Sequence, residues 1–264
     1  MGPAPQMEFP VGTVSGVAPV TDSGFINTWG LARASGGPWW IAENGTGTVS
    51  LYNGAGVEQP LGVTIPPADP TNKNTPIGSP TATISNDSQT DFPLALGESA
   101  KFLFATVDGT IAGLNPLVGL GPGAAPPSTH SVTVVKTTDG SAFTGLTRAF
   151  VNGKPYLYLA NFSKGRIDIY DNAFHRVNLS PNQSDAGSFN SNNLFSENSF
   201  VDHELPPFFV PFGVHAIGND IVVLAPAKNG ASLAGCSRSQ AATRESSHRR
   251  GRGTNSKSVS IFAC

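Results

Sequence analysis

The side chains best suited to chemistry in this sequence are amides, carboxylates and aromatic rings that recur beside turn residues. They are Asn27, Trp29, Glu43, Asn44, Asp108, Asn161 and Phe212. Carboxylate and amide oxygens are ligands that Ca²⁺ accepts, and the same groups beside aromatic walls can hold a small polar molecule. The residue types therefore indicate a binding site for an ion or a small polar ligand.

A catalytic use of these residues is the alternative. Metal-dependent hydrolysis of a lactone, or a lyase reaction, needs an ion as Lewis acid and a nearby general acid or base. Glu43 and Asp108 are the candidate metal ligands, Ca²⁺ is the candidate ion, and His215 is the weak candidate base. No Gly-x-Ser-x-Gly, Ser-x-x-Lys or His-Glu-x-x-His motif supports an enzyme. The sequence therefore favours a binding module over an enzyme.

Each candidate also has a structural interpretation. Asn44, Asp108 and Asn161 could cap their own turns, because Asn and Asp side chains do so routinely. A single histidine on a strand, such as His215, is more often packed and hydrogen-bonded than catalytic. Arg33 and Arg148 occupy matching positions in two repeats, where they would form structural salt bridges.

Internal repeats supply the elements that must position these residues. The stretch Asn27–Gly56 resembles Thr144–Asn172, since each runs from a Gly-Leu pair through an Ala-Glu-Asn or Ala-Asn step to a turn and a strand that ends in Tyr. Four equivalent alanines are separated by 63, 55 and 65 residues: Ala42, Ala105, Ala160 and Ala225. Repeats of this length, with four strands each, are typical of the blades of a β-propeller. A β-sandwich is the alternative architecture.

The strands of each repeat follow from β-branched and aromatic runs between Gly, Asn and Asp turns. We predict strands at 30–34, 39–42, 48–52 and 57–65, then at 80–87, 101–105, 110–114 and 130–136. The third copy predicts strands at 145–150, 155–160, 166–170 and 174–179, and the fourth at 211–214 and 220–225. The fold class is therefore all-β, with about four blades and an incomplete last one.

Composition divides the chain into four regions. Residues 1–26 form an N-terminal arm with a possible edge strand, and residues 27–228 hold the blades. Residues 229–257 are a low-complexity segment rich in Ser, Arg and Gly, without periodicity that would predict a strand or helix. Residues 258–264 resemble the third strand of the earlier copies, so the fourth blade would regain a third strand there and lack a fourth.

Charge and composition exclude several classes of protein. From Gly230 onward there are six basic residues and one acid, whereas the preceding chain holds ten basic and seventeen acidic residues. Such an acidic body does not favour nucleic-acid binding, which depends largely on phosphate neutralisation. The two cysteines, Cys236 and Cys264, either form one disulfide or remain free thiols. Neither a signal peptide nor an apolar run long enough to span a membrane is visible.

Several of these motifs in order resemble a family of β-propellers found in bacteria that carry PEP-CTERM sorting signals. The likeness rests on NTWGL, WIAENGTGTVSLYNGAG, FATVDGTIAG, LANFSKGRIDIYD and ELPPFFVPFGV, and it spans about Thr21–Ala225. It implies an exported protein of about six blades, distantly related to NHL-repeat proteins and SMP-30-type lactonases, and it implies no particular activity. The chain departs from the family in three respects: it shows no signal peptide, it has a low-complexity stretch after Ala225, and its repeats end early. A truncated chain is the expectation that follows.

In a propeller, the loops before the first strand and between the second and third strands of every blade lie on one rim. We therefore expect all seven candidates, together with Thr144, to lie on the same face. The predicted function is non-enzymatic binding of a protein, a glycan or a small polar ligand on that rim. A truncated chain whose ring does not close, and which has no activity, is the remaining alternative.

Overall fold

A computed structural model describes residues 11–178, 188–190, 200, 208–218, 220–227, 237–239 and 258–263 of the chain. Across these residues the fold is all-β, as predicted, and its one helical element is a 3₁₀ turn at Ala95–Gly97. A helix long and apolar enough to cross a membrane is absent from the described part of the chain.

The strands form a short N-terminal pair and four larger sheets. The pair consists of β1 (Val11–Gly12) and β2 (Val20–Thr21), which run parallel. The first sheet contains β3 (Thr28–Arg33), β4 (Trp39–Glu43), β5 (Thr48–Tyr52) and β6 (Val63–Thr64) in sequential antiparallel order. The second sheet repeats this order with β7 (Pro80–Ser85), β8 (Phe102–Thr106), β9 (Thr110–Leu114) and β10 (Val132–Lys136).

The third sheet contains β11 (Phe143–Val151), β12 (Lys154–Asn161), β13 (Arg166–Tyr170), β14 (Arg176–Asn178) and β15 (Ser188–Asn190). The fourth sheet contains β16 (Gly213–Ile217), β17 (Asp220–Ala225), β18 (Ser237–Ser239) and β19 (Ser258–Ala263). Its spatial order is β16, β17, β19, β18.

Tight turns set the hairpins of these sheets. Between β4 and β5, the amide of Gly47 donates to the carbonyl of Glu43 at 3.0 Å, and Gly47 has a φ of +71° that favours glycine. A Cβ at Gly47 would also lie 2.7 Å from Ile77. This turn brings Ala42 opposite Val49 and so fixes the register of the hairpin.

The core lies between consecutive sheets rather than within one of them. Trp40 of the first sheet stacks on Phe102 of the second, with ring centroids 3.9 Å apart. Leu103 of the second sheet packs in one cluster with Leu157 of the third. Alternate side chains of a strand point to opposite faces, so a sheet between two others must bury both faces. Accordingly β8 and β9 are buried at every residue, whereas the first and third residues of β4 and of β5 are only half-buried.

The first strands of the four sheets (β3, β7, β11 and β16) lie side by side and run in the same direction. Gly30 of β3 lies so close to β7 that a Cβ there would be 2.7 Å from the amide nitrogen of Thr83. Further along the same two strands, Ser85 Oγ donates to the carbonyl of Arg33 at 3.2 Å. Gly145 of β11 approaches β16 in a similar way, since a Cβ there would lie 2.9 Å from the amide nitrogen of Val214. These glycines allow the backbones of neighbouring sheets to approach.

The fourth sheet differs from the repeat that the sequence predicted. The strand expected at 258–262 is present beside β17, but it runs parallel to β17, with Asp220 opposite Ser258 and Ala225 opposite Ala263. The fourth position, which we expected to be vacant, is occupied by β18 from the low-complexity segment. β18 pairs antiparallel with β19, so its partner strand, rather than local periodicity, determines that it is extended.

Two further segments differ from the predicted strands. No strand was predicted between residues 179 and 211, yet β15 lies there and pairs parallel with β14. The predicted strand 57–65 is reduced to the two residues of β6 and a bridge between Tyr52 and Glu58. Cys236 and Cys264 lie outside the described residues.

Candidate functional site

Five of the expected residues meet where the first strands begin. Trp29, the second residue of β3, packs against Phe212, which immediately precedes β16, with ring centroids 5.4 Å apart. This contact joins the first and fourth sheets. Both rings are more than one third exposed, at 38% and 36%. We call Asn27, Trp29, Asn44 and Phe212 the rim cluster, and Thr144 supports it from β11.

A chain of amide hydrogen bonds holds the Trp29 ring. Asn44 Oδ1 accepts a hydrogen bond from Asn27 Nδ2 at 3.0 Å, and Asn27 Oδ1 accepts one from Trp29 Nε1 at 2.8 Å. The backbones are joined as well, since the amide of Asn44 donates to the carbonyl of Asn27 at 3.0 Å. Asn27 has a φ of +55°, a conformation that asparagine tolerates better than most residues. The side chains of Asn27 and Asn44 therefore fix the orientation of the Trp29 indole.

Asn44 also has an unused donor. Its Nδ2 is buried and has no hydrogen-bond partner among the described residues. Buried polar atoms are rarely left without a partner, and water or a ligand is a common explanation for those that are. The capping interpretation of Asn44 does not apply here, because its Oδ1 accepts from Asn27 rather than from its own turn.

The other ring of the cluster is fixed through its backbone. Thr144 Oγ1 donates to the carbonyl of Phe212 at 2.7 Å, and the amide of Phe212 donates to the carbonyl of Leu224 at 2.8 Å. Phe162 meets the Phe212 ring edge to face at a centroid distance of 5.9 Å. Phe162 was not among the candidate residues, although its position directly after Asn161 of the third copy would have placed it on the expected face.

Glu43 is not directed at the rim. It is 3% exposed, and its Oε2 accepts from Thr46 Oγ1 at 2.9 Å and from Thr48 Oγ1 at 3.0 Å. The carboxylate therefore braces the β4–β5 turn. The Asp108 carboxylate, half-buried in the β8–β9 turn, makes no hydrogen bond or ion pair with the described residues. In the described part of the chain, no group of three His, Cys, Asp or Glu side chains is placed to hold a metal ion.

Asn161 is part of a buried polar network instead of an open site. Its Nδ2 donates to Ser141 Oγ at 2.8 Å and to Asp168 Oδ2 at 2.6 Å. Its Oδ1 accepts from the amide of Lys164 at 3.3 Å, which caps its own turn as the structural interpretation predicts. Asp168 also accepts from Arg166 Nε at 2.7 Å. The network leaves Asn161 fully buried and with its hydrogen-bonding capacity used.

His215 lies elsewhere, in a cavity of about 280 Å³ between the first strands of the four sheets. Residues of β3, β7, β11 and β16 line this cavity, including Arg33 and Arg148, the two arginines that match between repeats. Arg148 donates to Asn86 Oδ1 at 2.5 Å and to Asp87 Oδ1 at 2.6 Å. The Arg148 hydrogen bond keeps the pKa of the Asp87 carboxyl below its ordinary value. The expected arginine salt bridge is therefore present in the third copy.

Comparisons with known proteins do not assign the chain to a family. No protein-family model matches the sequence, and no curated protein is significantly similar to it. Among solved structures, the chain is similar to the PQQ-bound form of aldose sugar dehydrogenase from Streptomyces coelicolor, with 14% sequence identity and a TM-score of 0.33. The match covers 62% of this chain and 49% of that chain, so it spans about half the length of the dehydrogenase. At this level of similarity, neither fold nor activity transfers to the chain.

Proposed function

We propose that the protein is a non-enzymatic binding module of the β-propeller class that holds a small polar ligand, of the saccharide class, on the rim cluster. The observation that carries this proposal is the exposed contact between Trp29 and Phe212, held in place by the amides of Asn27 and Asn44.

The chemistry of the cluster fits a saccharide. A sugar ring presents an apolar face of C–H groups and an edge of hydroxyls. Trp29 and Phe212 offer aromatic surface to such a face, and aromatic side chains carry large apolar area on a rigid ring. Asn44 Nδ2 is a donor without a partner among the described residues, and a ligand hydroxyl could accept from it after a small adjustment. Small-molecule sites typically combine a mostly apolar surface with a small number of polar groups.

The side-by-side arrangement of β3, β7, β11 and β16 supports the propeller part of the proposal. Radially stacked blades place their first strands next to one another and bury their faces against neighbouring blades. The burial of both faces of the second sheet agrees with that arrangement. The likeness to the exported propellers of PEP-CTERM bacteria belongs to the same proposal.

The experiment is a titration of the chain with a panel of mono- and disaccharides, followed by tryptophan fluorescence and calorimetry. Of the three tryptophans, Trp40 is buried, Trp39 is half-buried and Trp29 is exposed on the rim cluster. A ligand on the rim cluster should therefore change the signal of the wild type, and the change should be absent from Trp29→Ala, which keeps the other two tryptophans. We expect Trp29→Ala and Phe212→Ala to weaken binding at least tenfold. Phe150→Ala is the matched control, because Phe150 is also an exposed aromatic residue but lies outside the cluster.

Three outcomes would overturn the proposal. The first is a panel in which no saccharide changes fluorescence or releases heat. The second is a loss of binding in Phe150→Ala equal to that in Trp29→Ala, which would show a non-specific aromatic effect. The third is capture of a protein through the same cluster with no saccharide binding, which would overturn the saccharide class.

A further inference from the structure

A second cavity, of about 500 Å³, lies where the turn between β13 and β14 of the third sheet meets the second sheet. Besides that turn, the loop that leads into the 3₁₀ turn and the edge strand β10 form its walls. Its larger apolar side chains are Pro93, Leu94, Val118, Val132, Val134 and Phe174. No Asp, Glu, Lys or Arg is among the described residues that line it. Such a lining favours an uncharged molecule, because a charged group would lose its hydration there without gaining an opposite charge.

Direct contacts tie the two sides of this cavity together. Asn172 Nδ2 donates to Asp91 Oδ1 at 2.8 Å, and the carbonyl of Asn172 accepts from the amide of Phe92 at 2.7 Å. The ring of Phe92 is fully buried, and its centroid lies 5.6 Å from that of Phe174. Walls that are already held in place lower the entropic cost of binding a ligand, because binding does not have to order them.

Phe174 joins the lining through an uncommon backbone conformation. Its φ is +66°, which a bulky side chain adopts only when the surrounding contacts impose it. Asp171 imposes it here, since its carbonyl accepts from the amide of Phe174 at 3.1 Å. Asp171 Oδ1 also accepts from the amides of Ala173 at 2.9 Å and His175 at 2.8 Å. Strained residues concentrate at ligand-binding sites, so the turn supplies an independent observation in favour of a site at this cavity.

The burial of the lining residues gives the cavity a floor and a mouth. Val118 is 4% exposed and Phe174 is half-buried, whereas Thr133 and His175, the two polar members of the lining, are exposed. His175 Nδ1 lies 3.3 Å from Asp171 Oδ2, and its Nε2 has no hydrogen-bond partner in the part of the chain that the structure describes. A hydroxyl and an imidazole nitrogen can each exchange a hydrogen bond with an alcohol. The floor therefore suits an apolar body and the mouth suits a hydroxyl.

We propose that this cavity binds a small uncharged alcohol, whose apolar body packs against Val118, Leu94 and Phe174 and whose hydroxyl meets Thr133 and His175. None of the rim cluster residues lines the cavity. The site therefore does not depend on the function proposed for the rim cluster.

The test uses three probes that share one carbon skeleton: 3-phenyl-1-propanol, 3-phenylpropanoate and 3-phenylpropylammonium. Calorimetric titration of the full chain at about pH 8, where an imidazole is ordinarily uncharged, measures each Kd. We expect the alcohol to bind with a Kd of about 1 mM or lower. The two charged probes should bind at least tenfold more weakly, because the lining offers them no opposite charge. Equal affinity for the alcohol and either charged probe, or no heat from the alcohol, would overturn the proposal.

A filled cavity should lose the alcohol. Ala173 lines the cavity and is exposed, so Ala173→Trp should occupy the space with little change in Tm and weaken the alcohol at least tenfold. Ala55→Trp is the matched control, since Ala55 is also an exposed turn residue but lies outside the cavity, and it should bind as the wild type does. Binding that survives Ala173→Trp, or that Ala55→Trp weakens equally, would contradict the location.

A smaller change tests the position of the hydroxyl. Thr133→Val keeps the volume of an exposed side chain, so Tm should be unchanged, while the alcohol should bind about threefold more weakly because one hydrogen bond is lost. An unchanged affinity in Thr133→Val would contradict the placement of the hydroxyl at the mouth. Trp29→Ala should retain the alcohol, and a loss of binding in that variant would move the alcohol to the rim cluster and overturn the proposal.

Discussion

Thr144 Oγ1 lies 2.7 Å from the carbonyl oxygen of Phe212, and this hydrogen bond joins the third sheet to the fourth. Thr81 makes the same kind of contact one sheet earlier, with the carbonyl of Phe143 at 2.6 Å. Both threonines are buried and occupy the second position of their strand. The repeat therefore uses a side chain to connect neighbouring sheets at the end where the rim cluster lies.

We expect Thr144→Val to lower the free energy of unfolding by about 1–2 kcal/mol, because the Phe212 carbonyl loses a donor while the volume is conserved. Urea unfolding measures this difference. Thr133→Val on β10 is the control, since Thr133 is exposed and its replacement should change stability by less than about 0.5 kcal/mol. Equal effects of the two variants would show that the contact contributes nothing.

Gly30 should be intolerant of any side chain. A Cβ there would lie 2.7 Å from the amide nitrogen of Thr83 and 2.8 Å from Cα of Ala82, so the first and second sheets would have to separate. We expect Gly30→Ala to destabilise the protein by about 2 kcal/mol or more, measured by thermal unfolding. Gly54→Ala, where a Cβ meets nothing within 4 Å, should be close to neutral. An unchanged Tm in Gly30→Ala would contradict the close approach of β3 and β7.

Asp168 should be the most sensitive charge in the third sheet. It is 3% exposed and accepts from Arg166 at 2.7 Å, Arg176 at 2.9 Å and Asn161 at 2.6 Å. Asp168→Ala should cost about 3 kcal/mol, because two cations and a buried amide lose their acceptor. Asp139→Asn should cost about 1 kcal/mol or less, since this partner of Arg166 is 3.3 Å away and half-exposed. Denaturant titration measures the free energy of unfolding of both variants. A lower value for Asp139→Asn than for Asp168→Ala would contradict this ranking.

Substitution of Glu43 tests whether its carboxylate braces the β4–β5 turn or binds a metal ion. Because Thr46 and Thr48 both donate to its carboxylate, Glu43→Gln should lower stability by about 1–2 kcal/mol with or without calcium. The measurement is Tm in millimolar Ca²⁺ and in chelator, for the wild type and for Glu43→Gln with Asp108→Asn. A calcium-dependent Tm in the wild type that the double variant loses would instead support the metal-dependent alternative.

The Asp87–Arg148 pair predicts a pH dependence in acid. The hydrogen bond from Arg148 lowers the pKa of Asp87 in the folded protein, so the stabilisation is fully present above the ordinary carboxyl pKa of about 4. It is lost as the pH falls through the lower pKa of the folded state. We expect Asp87→Asn to be less stable than the wild type at neutral pH and to converge with it in strong acid. A difference that is independent of pH would contradict this assignment.

Much of the strand pattern could be predicted from the sequence. The strands Thr48–Tyr52, Thr110–Leu114, Arg166–Tyr170 and Asp220–Ala225 coincide with the expected ones, because alternating apolar residues between glycine turns have few other solutions. The position of β19 beside β17 was predicted, but its direction was not. Its pattern indicates a strand, whereas its parallel pairing with β17 depends on residues far apart in the chain.

The candidate site, too, could be predicted from the sequence only in part. Asn161 is the counterpart of Glu43, because each follows the matching alanine and ends its strand, and both are buried. Asn44 lies one residue later, where it meets Asn27 and keeps an unused donor. The position in the turn, and not the residue type, decides which side chain is open. Whether the rim cluster binds a ligand stays a prediction.

The parallel pairing of β17 with β19 has a consequence for the order of folding. Synthesis delivers the first three sheets before residues 258–263 exist, so these sheets can assemble while β17 still lacks its neighbour on that side. Closing the intervening segment adds an entropic cost that grows slowly with its length. The fourth sheet should therefore be the last to become protected from amide hydrogen exchange, and its outer strands β18 and β19 should open before β17 when the native protein fluctuates.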